Sequence, residues 1–404
     1  MKFAVFHNLG SGGAKRALYG LVKYLTESGH LVEVLVPSTA NEEFLPLKAV
    51  ANGVRVFPVR TSLGGIISSS AKYLPPVSGS CSLADLERSQ KTIARVINEG
   101  DYAAVIVEQD RYTVSPFILR FLVKPAVYYC AQPSRRGEAV LQTLRGRLHH
   151  DNGCALPAQW ARRQMARYAA AKIARIDKEN ASAAGRILTN SFFSRESILR
   201  AHGLNSFVSY LGVDTTVFRR LRREKGNYVL SVGSCDSFKG YDFLVRALSR
   251  LESRLRPRLI IVSNTVDIRW RRWLEQLAAN KNVIVEFRVL LADEDLVELY
   301  NRAVVFLYAP YLEPFGLAPV EAMSCGTAVI AVKEGGVRES IIHDQTGMLI
   351  ERDEVMFAEA VKELLVDKTR RDHIEERAVE CVHAFWTLQH AGQRLLWNLN
   401  RAMN

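Results

Sequence analysis

Two glutamates with seven residues between them, Glu313 and Glu321, are the pair in this sequence best placed to do chemistry. They stand in the run Leu312-Glu313-Pro314-Phe315-Gly316-Leu317-Ala318-Pro319-Val320-Glu321, which follows an apolar stretch and opens a helical pattern. A helix start leaves backbone N–H groups unpaired and carries the positive end of the helix dipole, so it favours a phosphate. Gly316 lets the chain approach a ligand closely. Glu313 precedes the turn and Glu321 lies inside the helix, so they can contact opposite ends of a ligand whose diphosphate lies over the turn. Carboxylates suit sugar hydroxyls, because each accepts several hydrogen bonds. From spacing alone, a surface glutamate plus a helix-capping glutamate explains the pair better, so the motif has to be weighed in its context.

A glycine-rich loop near the start, Gly10-Ser11-Gly12-Gly13-Ala14, has two readings. As a dinucleotide fingerprint it fails: the third glycine of G-x-G-x-x-G falls at Lys15, and the second strand carries Glu33 mid-strand with no acid at its end. A nicotinamide-dependent oxidoreductase is disfavoured on that ground. As a turn presenting N–H groups to a donor phosphate or an acceptor, the loop works. Asn8 and Lys15 are then acceptor-side candidates, set against plain turn and helix-start roles.

Positioning such loops takes an open parallel sheet, and the chain alternates strands and helices in two successive stretches. The first reads as the strand Phe3–Phe6, the helix Ala14–Ser28 ended by Gly29, the strand Leu31–Val36, a long loop from Pro58 to Ser82 and a helix over Leu83–Glu99. The strands Ala103–Val107, Ala126–Tyr129 and Arg186–Thr189 follow. The segment Thr61–Ser80 is rich in Gly, Ser and Pro and is expected to be mobile. The second stretch reads as the strands Tyr228–Val232, Leu259–Val262, Val283–Phe287, Val304–Tyr308 and Ala328–Ala331. Its helices fall at Tyr241–Arg250, Arg269–Asn280, Asp293–Asn301 and Arg338–Ile342, with an amphipathic region from Glu354. The join lies near Val213–Lys225, where charge is dense and periodicity is lost. Two doubly wound domains facing each other place a ligand in the cleft, at the carboxyl ends of the strands.

A chain of 404 residues is comfortable as two domains, and 48% hydrophobic with 24% charged residues is the profile of a soluble globular protein. The first apolar run stops at His7-Asn8, too soon for a secretory signal, and no run is long enough to cross a bilayer; a cytoplasmic location is expected. The six cysteines (Cys81, Cys130, Cys154, Cys235, Cys325 and Cys381) show no metal-ligand spacing, so reduced and mostly buried thiols, and no structural zinc, are expected. The isolated histidines, including the pair His149-His150, fit surface or core roles better than metal ligation.

The net charge of +12 is concentrated: from Ser134 to Lys178 ten Lys or Arg stand against three acids. Within it a helical segment, Trp160–Lys178, sets Trp160, Met165, Tyr168 and Ile176 among arginines. A face for an anionic membrane surface and a solvated face packed on its own domain are equal readings of residues 135–178. Nucleic acid is a poor third reading, for want of a recognised module or aromatic platform, and is not expected as a partner.

The motifs together resemble the family 4 retaining glycosyltransferases, whose architecture is GT-B: α/β, two doubly wound Rossmann-like domains facing across a cleft. The family's paired-Glu motif is matched by Glu313 and Glu321 with Phe315-Gly316-Leu317 between. Glu321-Ala322-Met323, Gly326, Val329-Ile330-Ala331, Gly335-Gly336, Glu339 and Thr346-Gly347 continue the match. Upstream, Asn190-Ser191-Phe192-Phe193-Ser194 and Leu211-Gly212-Val213-Asp214 resemble the interdomain segment, Gly233 and Lys239-Gly240 the phosphate loop, and Gly12-Gly13-Ala14 its N-terminal counterpart. The resemblance implies an acceptor-binding domain over 1–212, a donor-binding domain over 213–384, and a helix over 385–404 that returns to the first domain.

It further implies that Glu321 binds the donor ribose, Glu313 holds the transferred sugar near its reacting end, and amides of Phe315, Gly316 and Leu317 hold sugar and diphosphate. Lys239, a compact ammonium, would neutralise the diphosphate as it leaves. Gly12, Gly13, Gly233 and Ser234 complete the implied donor set, with Asn8, Lys15, Gln132 and Arg135 on the acceptor side, and no metal or cofactor beyond the nucleotide diphosphate-sugar itself. Two departures stand out. The family's arginine after the phosphate-loop glycine is Ser234 here, and Tyr128-Tyr129-Cys130-Ala131-Gln132-Pro133 lacks the histidine or acid usual beside the proline. The expected activity is transfer of a hexose-type sugar to a hydroxyl of a glycan or lipid-linked acceptor, in cell-surface polysaccharide or glycoconjugate assembly. The alternative is a non-catalytic nucleotide-sugar-binding relative acting as a partner subunit.

Overall fold

A strand covered on both faces needs apolar side chains on both, and the continuous apolar runs of the sequence form the centres of two all-parallel sheets. The computed structural model describes residues 1–59, 82–133 and 157–404, and in the helix beginning at Pro157 the side chains from Gln164 onward except Ala166. The first sheet holds β1 (Lys2–Asn8), β2 (Leu31–Pro37), β3 (Gly53–Phe57), β4 (Ala104–Asp110), β5 (Ala126–Tyr129), β6 (Arg186–Thr189) and β7 (Phe207–Val208). Their spatial order is β3-β2-β1-β4-β5-β6-β7. The second holds β8 (Tyr228–Val232), β9 (Arg258–Ser263), β10 (Val285–Val289), β11 (Val305–Tyr308), β12 (Val329–Val332) and β13 (Met348–Ile350), ordered β10-β9-β8-β11-β12-β13. Strand order reverses between β1 and β4 and between β8 and β11, and a ligand crevice opens where such an order reverses.

The sheet edges depart most from the expected pattern. β3 is only partly buried and β7 is two residues long, so neither carries the apolar run that marks a central strand. β7 lies outside β6, which therefore does not close the sheet. β10 starts two residues later than expected, because Asn282 adopts a left-handed conformation, and it runs on to Val289. The helix expected over Arg338–Ile342 is Val337–Ser340, since Ile341 is already extended. The region from Glu354 divides into the helices Glu354–Val366, Lys368–Phe385 and Leu388–Met403, each started by a side-chain cap from Asp353, Asp367 or Thr387.

Leu388–Met403 lies against the helix Gly13–Glu27 and β5, so the chain ends on the first sheet. The approach is close enough that a Cβ at Gly392 would meet the Tyr24 ring at 2.0 Å. The two passages between sheets are bonded to each other: Val213 N–H donates to Trp386 O and Leu388 N–H to Val213 O, both at 2.8 Å. One apolar core is continuous across this crossing, from Phe3 and Leu18 through Phe218 and Trp386 to Phe306 and Val320.

The described part of the basic stretch is the helix Pro157–Ser182. Ile173, Ile176, Asp177, Asn180 and Ala181 are buried against the first domain, while Met165 and Tyr168 face outward. Cys130, Cys235 and Cys325 are free and buried, and Cys381 is half-buried and free. Thr61–Ser80, Cys81, Arg135, His149-His150, Cys154 and the Trp160 side chain lie outside the described residues. Among the described residues no helix is long and apolar enough to cross a membrane.

Candidate functional site

The two strand-order reversals face each other, and a cleft lies between them. It is lined by Ser11, Gly12 and Gly13 after β1, by Gly233, Ser234 and Lys239 after β8, and by Glu313, Leu317 and Glu321 after β11. The helix Gly13–Glu27 is capped by Gly12 (φ +138°) and Leu317–Ser324 by Gly316 (φ +91°). Neither cap residue has a side chain to bond the first turn, and neither first turn holds an acid, so two sets of helix-start N–H groups are left to a ligand. A Cβ at Gly13 would meet nothing within 4 Å, so no packing in the protein demands a glycine there.

Lys239 is fixed from below. Gly240 (φ +64°) presses on Ala309, where a Cβ would stand 2.0 Å from the carbonyl oxygen. Asp236 caps the turn Ser237–Lys239 by accepting from Phe238 N–H. The ammonium then points across to Glu313, Nζ donating to Oε2 at 2.8 Å, with the side chains 20% and 24% exposed. Burial works against the Lys239 charge, but Glu313 and Asp236 outweigh it and hold the ammonium above its usual pKa. Glu313 itself sits on a backbone clamped by Gly335 and Gly336: Gly336 N–H donates to Glu313 O at 2.8 Å. Ser191 Oγ, from the other domain, donates to Pro314 O at 2.5 Å.

Glu321 is 3% exposed, and Tyr300 OH donates to its Oε2 at 2.8 Å. Arg16 Nε lies 3.5 Å from Oε1. Burial raises the Glu321 pKa, with Arg16 and Tyr300 opposing and Asp293 reinforcing. Phe315 points the other way, buried in the interdomain core against Tyr210 and Trp386, so only its backbone borders the turn.

Asn8 and Lys15 do not line this cleft. Asn8 is fully buried, donating to Asp110 Oδ2 at 2.8 Å and accepting from Thr39 Oγ1 at 3.0 Å. Lys15 is fully buried beneath the loop, bonded to Glu42 and 3.1 Å from His7 Nε2. Leu9 N–H donates to His7 Nδ1 at 3.3 Å, which leaves Nε2–H for Glu42 Oε1 at 2.8 Å. Burial lowers Lys15 and His7, while burial of Glu42 is overcome by those two partners, which bring it down to about 2. Gln132 is half-buried, its carbonyl accepting from Gln109 Nε2 at 2.6 Å, and it too is absent from the lining.

Sequence reasoning missed Arg16, Asp293, Tyr300, Asn264 and Thr265. Arg16 follows the glycine loop within one helical turn, which is a usable signal. Asp293 and Tyr300 sit seven apart on one helical face, but nothing in their types marks them. Asn264 and Thr265 follow β9 and join the lining only because the sheet order brings them there.

A two-sheet α/β chain with this cleft has the GT-B architecture. Residues 213–380 match the family model described as glycosyl transferases group 1. Among curated proteins, the D-inositol 3-phosphate glycosyltransferase of Stackebrandtia nassauensis is 33% identical over 207 residues, 46% of each chain. The alpha-1,3/1,6-mannosyltransferase ALG2 of Homo sapiens is 28% identical over 216 residues, 47% of this chain and 52% of that protein. The chain thus spans about half the length of the curated relatives it matches. Among solved structures, Anabaena HepE in complex with UDP and glucose superposes with a TM-score of 0.73 at 18% identity, over 99% of this chain and 100% of that one. Sucrose-phosphate synthase from Thermosynechococcus elongatus gives 0.71 at 18%, over the whole of both chains. At these identities the likeness is one of fold.

Proposed function

We propose that the protein is a retaining glycosyltransferase that moves a hexose-type sugar from a nucleotide diphosphate-sugar to a hydroxyl of a glycan or lipid-linked acceptor. The observation that carries this is the convergence of Lys239, Glu313, Glu321 and two glycine-capped helix starts on one cleft. Glu321 takes the ribose hydroxyls, and Glu313 the sugar hydroxyls near the reacting carbon. The bond from that carbon to the diphosphate breaks while the acceptor oxygen bonds to the same face, and the acceptor's proton passes to the leaving phosphate oxygen. Negative charge grows on the diphosphate, where Lys239 and the helix-start N–H groups stand fixed, and fixed dipoles favour that separation without reorganising. No step in this scheme calls on a metal ion, so turnover is expected to survive a chelator.

The family's habit and the basic stretch 135–178 support an acceptor used in cell-surface polysaccharide or glycoconjugate assembly, met at the cytoplasmic membrane face. The test is a thermal-shift panel of UDP, GDP, ADP and their sugars, followed by donor hydrolysis with each binder and with chelator present. A ligand that binds only the folded state raises the midpoint. Binding with slow hydrolysis supports the proposal. Binding with no turnover of any donor, with acceptor supplied, points instead to a nucleotide-sugar-binding partner subunit, the reading that Ser234 motivates.

A further inference from the structure

Arg16 belongs to the glycine-loop domain, yet its charge is used by the other one. Its Nη1 and Nη2 donate to Asp293 Oδ2 and Oδ1 at 2.9 and 2.6 Å, and its Nε faces Glu321 Oε1 at 3.5 Å. The guanidinium lies 5.7 Å from the Phe44 ring centre and 5.2 Å from that of Phe218, and only 17% of the side chain is exposed. Glu321 is buried, and a buried carboxylate without a countercharge takes up a proton. Asp293 and Tyr300 face it from the helix Asp293–Arg302, Tyr308 from β11 and Cys325 from the end of its own helix. None of these brings a positive charge.

We propose that Arg16 is a positioning residue that keeps Glu321 ionised, and that it does so only when the two domains are closed, so nucleoside binding and closure are coupled. This rests on the reading that Glu321 receives ribose hydroxyls; that reading alone requires no cation behind the carboxylate. With the cleft open, Glu321 loses its countercharge and becomes a carboxyl with fewer acceptor sites. With it closed, Asp293 holds the guanidinium by two parallel bonds and the ribose meets a carboxylate. A ligand that prefers the closed, ionised form shifts the population towards it by that difference in affinity. Because burial already raises Glu321 and Arg16 is the foremost group opposing it, removing Arg16 must raise it further.

The experiment is calorimetry with UDP, GDP and ADP between about pH 5.5 and pH 8.5, a range that spans titration of a raised carboxyl. It uses the full chain and the variants Arg16→Met, Arg16→Lys, Glu321→Gln and the Arg16→Met/Glu321→Gln pair, each checked for an intact thermal transition. Arg16→Met is expected to bind the recognised nucleotide about tenfold more weakly than wild type at low pH, the loss shrinking as pH rises. Arg16→Lys recovers part of it. In the Glu321→Gln background, with no charge left to stabilise, Arg16→Met costs less than about threefold. A loss that is the same at every pH, or the same in both backgrounds, overturns the proposal and leaves the donor-site reading standing. Small-angle scattering of ligand-free Arg16→Met is expected to show a more open molecule; a curve identical to wild type overturns the link to closure. A wild type that binds none of the three nucleotides sinks the donor-site reading first, and this proposal with it.

Discussion

Lys239 Nζ lies 2.8 Å from Glu313 Oε2, the two side chains meeting from loops 74 residues apart across the floor of the cleft. The ammonium is therefore oriented and kept charged before any donor arrives. On the proposed function, a donor whose diphosphate reaches Lys239 would put its sugar against Glu313, and the pair would span the bond that breaks.

The three charged residues should separate in kinetics. Glu313→Ala is expected to lower turnover about a hundredfold while nucleotide affinity stays within about threefold, because its proposed partner is the sugar near the reacting carbon. Lys239→Ala should lower turnover comparably and also weaken nucleoside diphosphates relative to the monophosphate. Glu321→Ala should weaken every form of the nucleotide by about tenfold or more, since two hydroxyls lose a charged acceptor. Steady-state rates together with calorimetric Kd values decide this. Equal losses of nucleotide affinity in all three variants would contradict the assigned roles.

Ser234 stands where the resembled family carries an arginine, and it lines the cleft beside Lys239. Its Oγ donates to Asp236 Oδ2 at 2.5 Å, so in the free protein it is engaged with the capping acid of the lysine turn. Ser234→Arg is expected to tighten a nucleoside diphosphate by about threefold to tenfold over wild type, a partly exposed charge being worth about 1 kcal/mol. The monophosphate should be unaffected, and the gain should shrink with added salt. Calorimetry at two ionic strengths checks it. An equal gain for mono- and diphosphate would place the diphosphate elsewhere.

The glycines of the site divide into two kinds that mutation can tell apart. A Cβ at Gly336 would stand 1.9 Å from Pro314 O, a clash with backbone that no rotamer relieves. Gly336→Ala should cost about 3 kcal/mol or more, lowering the midpoint by roughly 3–4 °C or more if the 404 residues unfold together. Gly13 has open space where its Cβ would be. Gly13→Ala should leave the midpoint within about 2 °C of wild type yet weaken diphosphate binding, because only the ligand would meet the new methyl group. A Gly13→Ala variant that binds normally would remove the glycine loop from the donor site.

That division also explains what could be read before the fold was seen. The glycine-capped helix start after Glu313 was legible as a local pattern, but only the resemblance, not the spacing, set Glu313 and Glu321 apart from surface and capping glutamates. Central strands such as β8 and β11 were legible as apolar runs; β3, a half-exposed edge, and β7, an edge of two residues, were not. Lys15 and Asn8 misled for a physical reason: beside a glycine loop a lysine and an asparagine look like ligand contacts. Here, however, the half-buried Glu42 and the buried Asp110, 27 and 102 residues away, claim them. Arg16 and Asp293 form an interdomain pair separated by 277 residues, and no local pattern can encode that.

The buried Glu108 on β4 should set the alkaline side of the stability profile. It is 3% exposed, and burial pushes its carboxyl up to about 8, with only the Gln109 backbone N–H pulling the other way. An unfolded glutamate titrates near 4.3, so the folded value is the higher one. The sign follows: the native chain binds the extra proton, stability is fullest below the unfolded value, and it is lost as pH rises towards about 8. A gap of this size corresponds to as much as about 5 kcal/mol between those limits. Glu108→Gln keeps the shape and removes the titration. Its thermal midpoint should match wild type near pH 5 and exceed it near pH 8.5, and midpoint curves that stay parallel across that range would show Glu108 ionised in the folded protein.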